Sequence, residues 1–157
     1  MTTGILSLNL TTLDNPGITC MKAMATERNV SSRTFSQIVG EKSSGSWRIK
    51  YLDYQPVRRR TQVRKFTSVD RQTGESLTHT FHYTIRGCAV IQKQSNKAGR
   101  AYREGWELWV NKANLVRKPE DETFCRMYYK LFCNCTKPKQ YKIEDCDERH
   151  YKGIMLA

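Results

Sequence analysis

Three cysteines and a histidine fall within the eighteen residues CNCTKPKQYKIEDCDERH, residues 133–150. On a strand, Cys133 and Cys135 would point the same way; on a helix, Cys146 and His150 would share a face. With a proline-containing loop between them, the two pairs have the composition of a tetrahedral Cys3His zinc site. All four positions would be filled by protein, so the role would be structural. Metal-binding free energy would then become folding free energy for a segment with few apolar side chains. The spacing lacks a double CxxC signature, and two other readings stand beside it. One is reduced, partly buried cysteines with a solvated histidine; the other is disulfide halves. The expectation carried forward is one zinc ion on Cys133, Cys135, Cys146 and His150.

A second constellation is basic. The chain carries 27 Lys+Arg against 15 Asp+Glu, a net charge of +12, and residues 46–100 hold twelve of the basic groups and only three acidic ones. A field of that sign favours polyanions. The runs VRRRTQVRKFTSV (57–69) and LTHTFHYTIRGCAVI (77–91) alternate with period two. Together with a turn around Gln72–Gly74, they predict an antiparallel hairpin. Burying Val57, Val63 and Val69 on the side of Phe81 and Tyr83 pairs odd positions with odd. The solvent face then collects Arg58, Arg60, Arg64, Arg86 and His82. Guanidinium forks match phosphate oxygens bidentately, and an outward Trp109 offers a surface on which a base can stack. The expected partner is a nucleic acid, RNA foremost. The plainer reading is a solvated basic sheet face.

These residues need elements to position them. A short strand is expected at Ile5–Leu10 and short helices over 18–28 and 33–39. GEKSSGS (40–46) reads as a linker. WELWV (106–110) reads as a strand with Trp106, Leu108 and Val110 inward and Trp109 outward. Residues 118–122 read as an acidic turn and 125–133 as another alternating strand. A short strand at 141–143 and a helical turn over 144–151 complete the chain. The fold class is mainly β (α+β): an antiparallel sheet or small barrel with short N-terminal helices and a Cys/His-rich C-terminal tail. Three segments follow: 1–45, a β-rich basic domain over 46–134, and a zinc-anchored stretch over 133–157. All lie within one compact domain, as suits 157 residues.

Catalysis has no carrier. No GxSxG, HExxH, P-loop or GxGxxG occurs. His79 and His82, three apart on a strand, face opposite ways, and His79 reads as a core histidine. The chain is therefore expected not to be an enzyme. No stretch approaches the ~20 apolar residues of a membrane span, and the first residues lack a basic leader pattern. An intracellular site, cytoplasmic or nuclear, with reduced cysteines is expected. One short domain, the basic run 57–69 and the Cys/His cluster 133–150 together resemble the small basic accessory proteins of eukaryotic, especially plant, viruses. The resemblance covers general design and no aligned motif. It implies RNA binding and suppression of RNA silencing. A small coat or movement protein, or a protein-interaction module, are the alternatives; self-association fits any of them.

Overall fold

Period-two pairing governs far more of the chain than 57–91. The computed structural model describes residues 4–57, 64–95, 104–142 and 146. Its strands are β1 (Leu6–Thr11), β2 (Ile18–Asn29), β3 (Thr34–Ser43), β4 (Ser46–Pro56), β5 (Lys65–Asp70), β6 (Ser76–Thr84), β7 (Cys88–Ser95) and β8 (Glu104–Val110). Consecutive strands from β2 to β8 pair antiparallel, and β1 pairs with both β8 and β2, closing an eight-stranded barrel. A further short strand, β9 (Lys139–Gln140), adds to β1 at Leu10 and Thr11. The mainly β antiparallel class and the barrel hold.

The two N-terminal helices do not form; β2 and β3 stand in their place. The spacing of Phe35, Ile38 and Val39 suits a helix. However, isolated helices this short are marginal, and the β2–β3 pair registers from Ile18↔Ser43 to Asn29↔Thr34. Within GEKSSGS, Ser44 and Gly45 make the tight β3–β4 turn, at φ 49° and 78°. Two consecutive positive φ values are what a hairpin whose turn follows the strand twist requires.

The β5–β6 hairpin exists, but in the opposite parity to that expected. Its register is Ser68↔Leu77 and Phe66↔His79. Phe66, Ser68 and Asp70 therefore share the inner side with Leu77, His79 and Phe81, while Val69 is 42% exposed. The valine-based register assumed a wholly apolar interior. This interior instead uses Ser68 to bond His79 and Asp70 to accept N–H groups of the following turn. Residues 77–91 also break into two strands at Ile85–Gly87, where the Ile85 N–H donates to Cys88 O.

Behind β8 come α1 (Lys112–Arg117) and α2 (Glu120–Cys133). The second replaces both the acidic turn and the strand expected at 125–133. Glu120, Asp121 and Glu122 occupy its first turn, where they oppose the helix dipole. Cys125 and Tyr129, one turn apart, are both fully buried. They pack on the outer wall against Leu10, Val90, Leu108 and Val110, and the Tyr129 hydroxyl donates to Trp106 O at 3.2 Å.

The cysteines overturn the zinc expectation. They pair as Cys20–Cys146, Cys88–Cys125 and Cys133–Cys135. A sulfur bound to sulfur is no thiolate ligand, and no group of three metal-binding side chains exists among the described residues. His150 lies outside those residues, as does most of the expected tail. Cys20 and Cys88 are core residues, but bridged ones. The pairing also removes the expectation of a reducing compartment.

Candidate ligand cavity

The inner positions of the barrel enclose a cavity of about 110 Å3. At ~10–15 Å3 for each water-sized occupant, that is room for several waters or one small molecule. Eight strands make a barrel just wide enough for such use. Met21, Val39, Leu52, Phe81 and Ile91 give it apolar walls; Tyr54, His79, Lys50, Lys93 and Trp109 give it chemistry.

Behind two of these lining side chains, Lys93 and Trp109, lies Glu107, bonded to both. It sits on β8 two residues before Trp109, on the same side of the strand, and is 1% exposed. Its Oε1 accepts from the Trp109 indole N–H at 3.0 Å and from Lys93 Nζ at 2.7 Å. Its Oε2 is buried and has no hydrogen-bond partner among the described residues. A buried carboxylate oxygen left unpaired costs free energy unless something arrives to meet it. Tyr54 feels the same charge: burial first, then Glu107, holds its hydroxyl protonated far above the usual phenol range. The Tyr54 ring stacks on Phe35 at 4.4 Å and meets His79 edge-on at 5.1 Å.

Charge is distributed against the trend of the molecule. In a chain of net charge +12, the cavity walls carry Glu41, Asp70 and Glu75 against Lys50 and Lys93. Glu107, bonded to Lys93 and Trp109, adds a fourth carboxyl group behind the wall. Lys50 pairs with Glu41 at 2.8 Å and Lys93 with Glu107, so the formal excess is acidic.

His79 is a satisfied core histidine, as the sequence suggested. It is 3% exposed, with Nε2 2.9 Å from Ser68 Oγ. Burial, and then the positive charge of Lys93, push its pKa well below the ordinary value. The ring stays neutral in the folded protein while the unfolded chain protonates near pH 6.5. Stability is therefore complete above that pH and falls below it, by up to about 1.4 kcal/mol per pH unit. Chemical denaturation of the native chain and of His79→Gln between pH 7 and 5 should show the slope flattened in the variant; parallel profiles would refute the assignment.

Of the expected nucleic-acid residues that are described, Trp109 does not share a face with Arg64, Arg86 and His82. Arg58 and Arg60 lie outside the described residues. Arg64 is exposed just before β5 and Arg86 is exposed in the β6–β7 turn. His82 lies on the outer wall, 4.7 Å from the Trp106 ring and 5.3 Å from Phe132, with Nε2 2.9 Å from Gln92 Oε1. Trp109 points inward and is 5% exposed, the reverse of the expected parity. Arg64 and His82 both line a recess of about 810 Å3, with Phe35 and Phe66, where β2 turns into β3. Missed in the sequence were Glu107, Lys93 and Tyr54. The available signal was the acid enclosed by apolar residues in WELWV.

Comparison with known proteins agrees with the barrel fold. A family model described as tick histamine binding protein matches residues 7–148. No curated protein sequence matches. Among solved structures 22 chains match. One belongs to the work titled "The Siderocalin Ex-FABP functions through dual ligand specificities"; it shares the fold at TM-score 0.59 and 11% identity, covering 86% of this chain and 88% of that one. The family match overturns the resemblance to viral accessory proteins. With it go RNA binding, silencing suppression and the coat, movement and interaction-module alternatives. The intracellular placement falls with the disulfides. No helix among the described residues is long and apolar enough to cross a membrane. A match that runs from β1 past α2 to the last described cysteine leaves one conclusion: the chain belongs to the tick histamine binding protein family.

Proposed function

We propose that the chain binds a small organic cation, histamine foremost, inside its barrel, as a binder without a catalytic step. The observation that carries this reading is the buried, unpartnered Oε2 of Glu107. Histamine brings one ammonium and one imidazole. The ammonium supplies the missing donor, and the Trp109 and Tyr54 rings beside it can add cation–π attraction. The protonated Tyr54 hydroxyl and the neutral His79 suit the imidazole without repelling the cation. The acidic excess of the walls selects the same sign of ligand. Three disulfides suit an oxidising, extracellular compartment, so the role is capture of the free amine outside the cell.

Calorimetric titration with histamine and with N-acetylhistamine, which lacks the ammonium, tests this. Saturable one-to-one binding of histamine is expected, with the acetylated compound weaker by about tenfold or more, the cost of one charged hydrogen bond. At a hundredfold excess over Kd, histamine should stabilise the fold by about 2.7 kcal/mol. Equal affinity for the two compounds, or no binding of either, would overturn the reading.

A further inference from the structure

The third disulfide differs in kind from the other two. Cys20–Cys146 and Cys88–Cys125 span 126 and 37 residues and bury all four cysteines. Each ties a barrel strand to a later part of the chain. Cys133–Cys135 spans two residues. Both its cysteines are half-buried, where α2 ends on the outer wall. The entropy that a cross-link removes from the unfolded chain grows with the logarithm of the loop it closes, so a ring around Asn134 alone restrains little. Nor does α2 depend on it. The helix is already held eight and four residues upstream, by the Cys125 bridge and by buried Tyr129. A bridge that is accessible and whose opening leaves the fold in place meets the two conditions for exchange with solvent thiols.

We propose that Cys133–Cys135 is a thiol–disulfide exchange site whose substrate is a low-molecular-weight thiol. The proposal concerns the outer wall and is independent of ligand binding in the barrel. The residue between the sulfurs is positioned by the helix end. Asn134 is the C-cap of α2, in the left-handed region at φ 48° and ψ 35°, and its N–H donates to Lys130 O at 3.0 Å. This conformation does not require the bridge, so after reduction the two thiols remain neighbours, ready to re-form it.

The two sulfurs are unequal. Cys133 is the last residue of α2, at the negative end of the helix dipole, which disfavours a thiolate. Cys135 lies beyond the cap, clear of the last helical turn, and is the better leaving group. An incoming thiolate attacks Cys133 Sγ; the S–S bond breaks and its electron pair leaves on Cys135 Sγ, which takes a proton from water. A second thiolate attacks the substrate sulfur of the mixed disulfide and releases Cys133. Two thiols are oxidised to one disulfide and the bridge gains two electrons and two protons; the reverse sequence closes it.

The test uses the full oxidised chain with glutathione at neutral pH, quenched by alkylation and mapped by peptide mass. Cys133 and Cys135 should be the first cysteines alkylated, about tenfold or more ahead of the other four, as expected of an accessible bridge against buried ones. One oxidised glutathione should form per bridge opened. Given oxidised glutathione instead, Cys135→Ser should accumulate glutathione on Cys133, with one reduced glutathione released for each. Prior opening of Cys20–Cys146 or Cys88–Cys125, simultaneous opening of all three, or alkylation of Cys133 and Cys135 before thiol is added would overturn the proposal. The variant Cys133→Ser/Cys135→Ser should fold and yield no early thiols; failure to fold would overturn it too, because the ring would then be holding structure.

Discussion

Replacing Glu107 by glutamine is expected to weaken histamine binding by about thirtyfold or more, since losing one partner of a buried charged pair costs roughly 2–5 kcal/mol. The substitution keeps the shape and removes the charge. It also strands Lys93, whose side chain is 16% exposed and whose ammonium is 2.7 Å from Glu107, so some loss of stability accompanies it. A second variant separates the two effects. Lys93→Met leaves Glu107 with no ammonium, a place that histamine can take. Histamine should therefore stabilise Lys93→Met more than it stabilises the native chain, while Glu107→Gln gains nothing from it. Thermal melts with and without ligand, beside calorimetry, read both arms. Undiminished binding by Glu107→Gln would remove the carboxylate from the site.

The largest stability change should come from the bridge with the longest reach. On the chain-entropy estimate, Cys20→Ser/Cys146→Ser loses about 4–5 kcal/mol and Cys88→Ser/Cys125→Ser roughly 4, while Cys133→Ser/Cys135→Ser loses under about 2. At ~2–4 °C per kcal/mol for a chain of this size, the first should lower Tm by roughly 10–20 °C. Scanning calorimetry of the three double variants gives the order directly. A smaller loss at Cys20–Cys146 than at Cys133–Cys135 would mean that the unfolded chain is already compact around the long loop.

The strand at WELWV, the strand beginning near Leu6 and the hairpin across Gln72–Gly74 were legible because alternation is a local property. What alternation does not supply is the side. On β5 the choice rested on placing Val69 inward, and the barrel placed Ser68 and Asp70 there instead, because its interior holds polar groups in pairs. The same reversal put Trp109 against Glu107. On α2, Cys125, Met127, Tyr129, Leu131 and Cys133 fit period two, yet the acidic first turn and the one-turn spacing of Cys125 and Tyr129 fit a helix, and contact with the outer wall decided it. Glu107 was hidden for a related reason. A carboxyl group between tryptophans reads as a solvated face until β7 brings Lys93 across to it. The cysteine partners lie 126 and 37 residues apart in two cases, and no local pattern carries such a distance.

The closure of the barrel sets a timetable for its synthesis. β1 is made first, yet most of its pairing is to β8, with Ser7 opposite Val110; to β2 it has only Leu6↔Ala23 and Ser7↔Lys22. At ~5–20 residues per second, the wait for β8 is roughly 5–20 s. Cys20 waits longer still, for Cys146, and during that interval Cys88 and Cys125 emerge and can find each other first. An early Cys20 thiol thus coexists with wrong partners before its right one exists, and the order of oxidation, more than the strength of any contact, decides whether a nascent chain closes correctly.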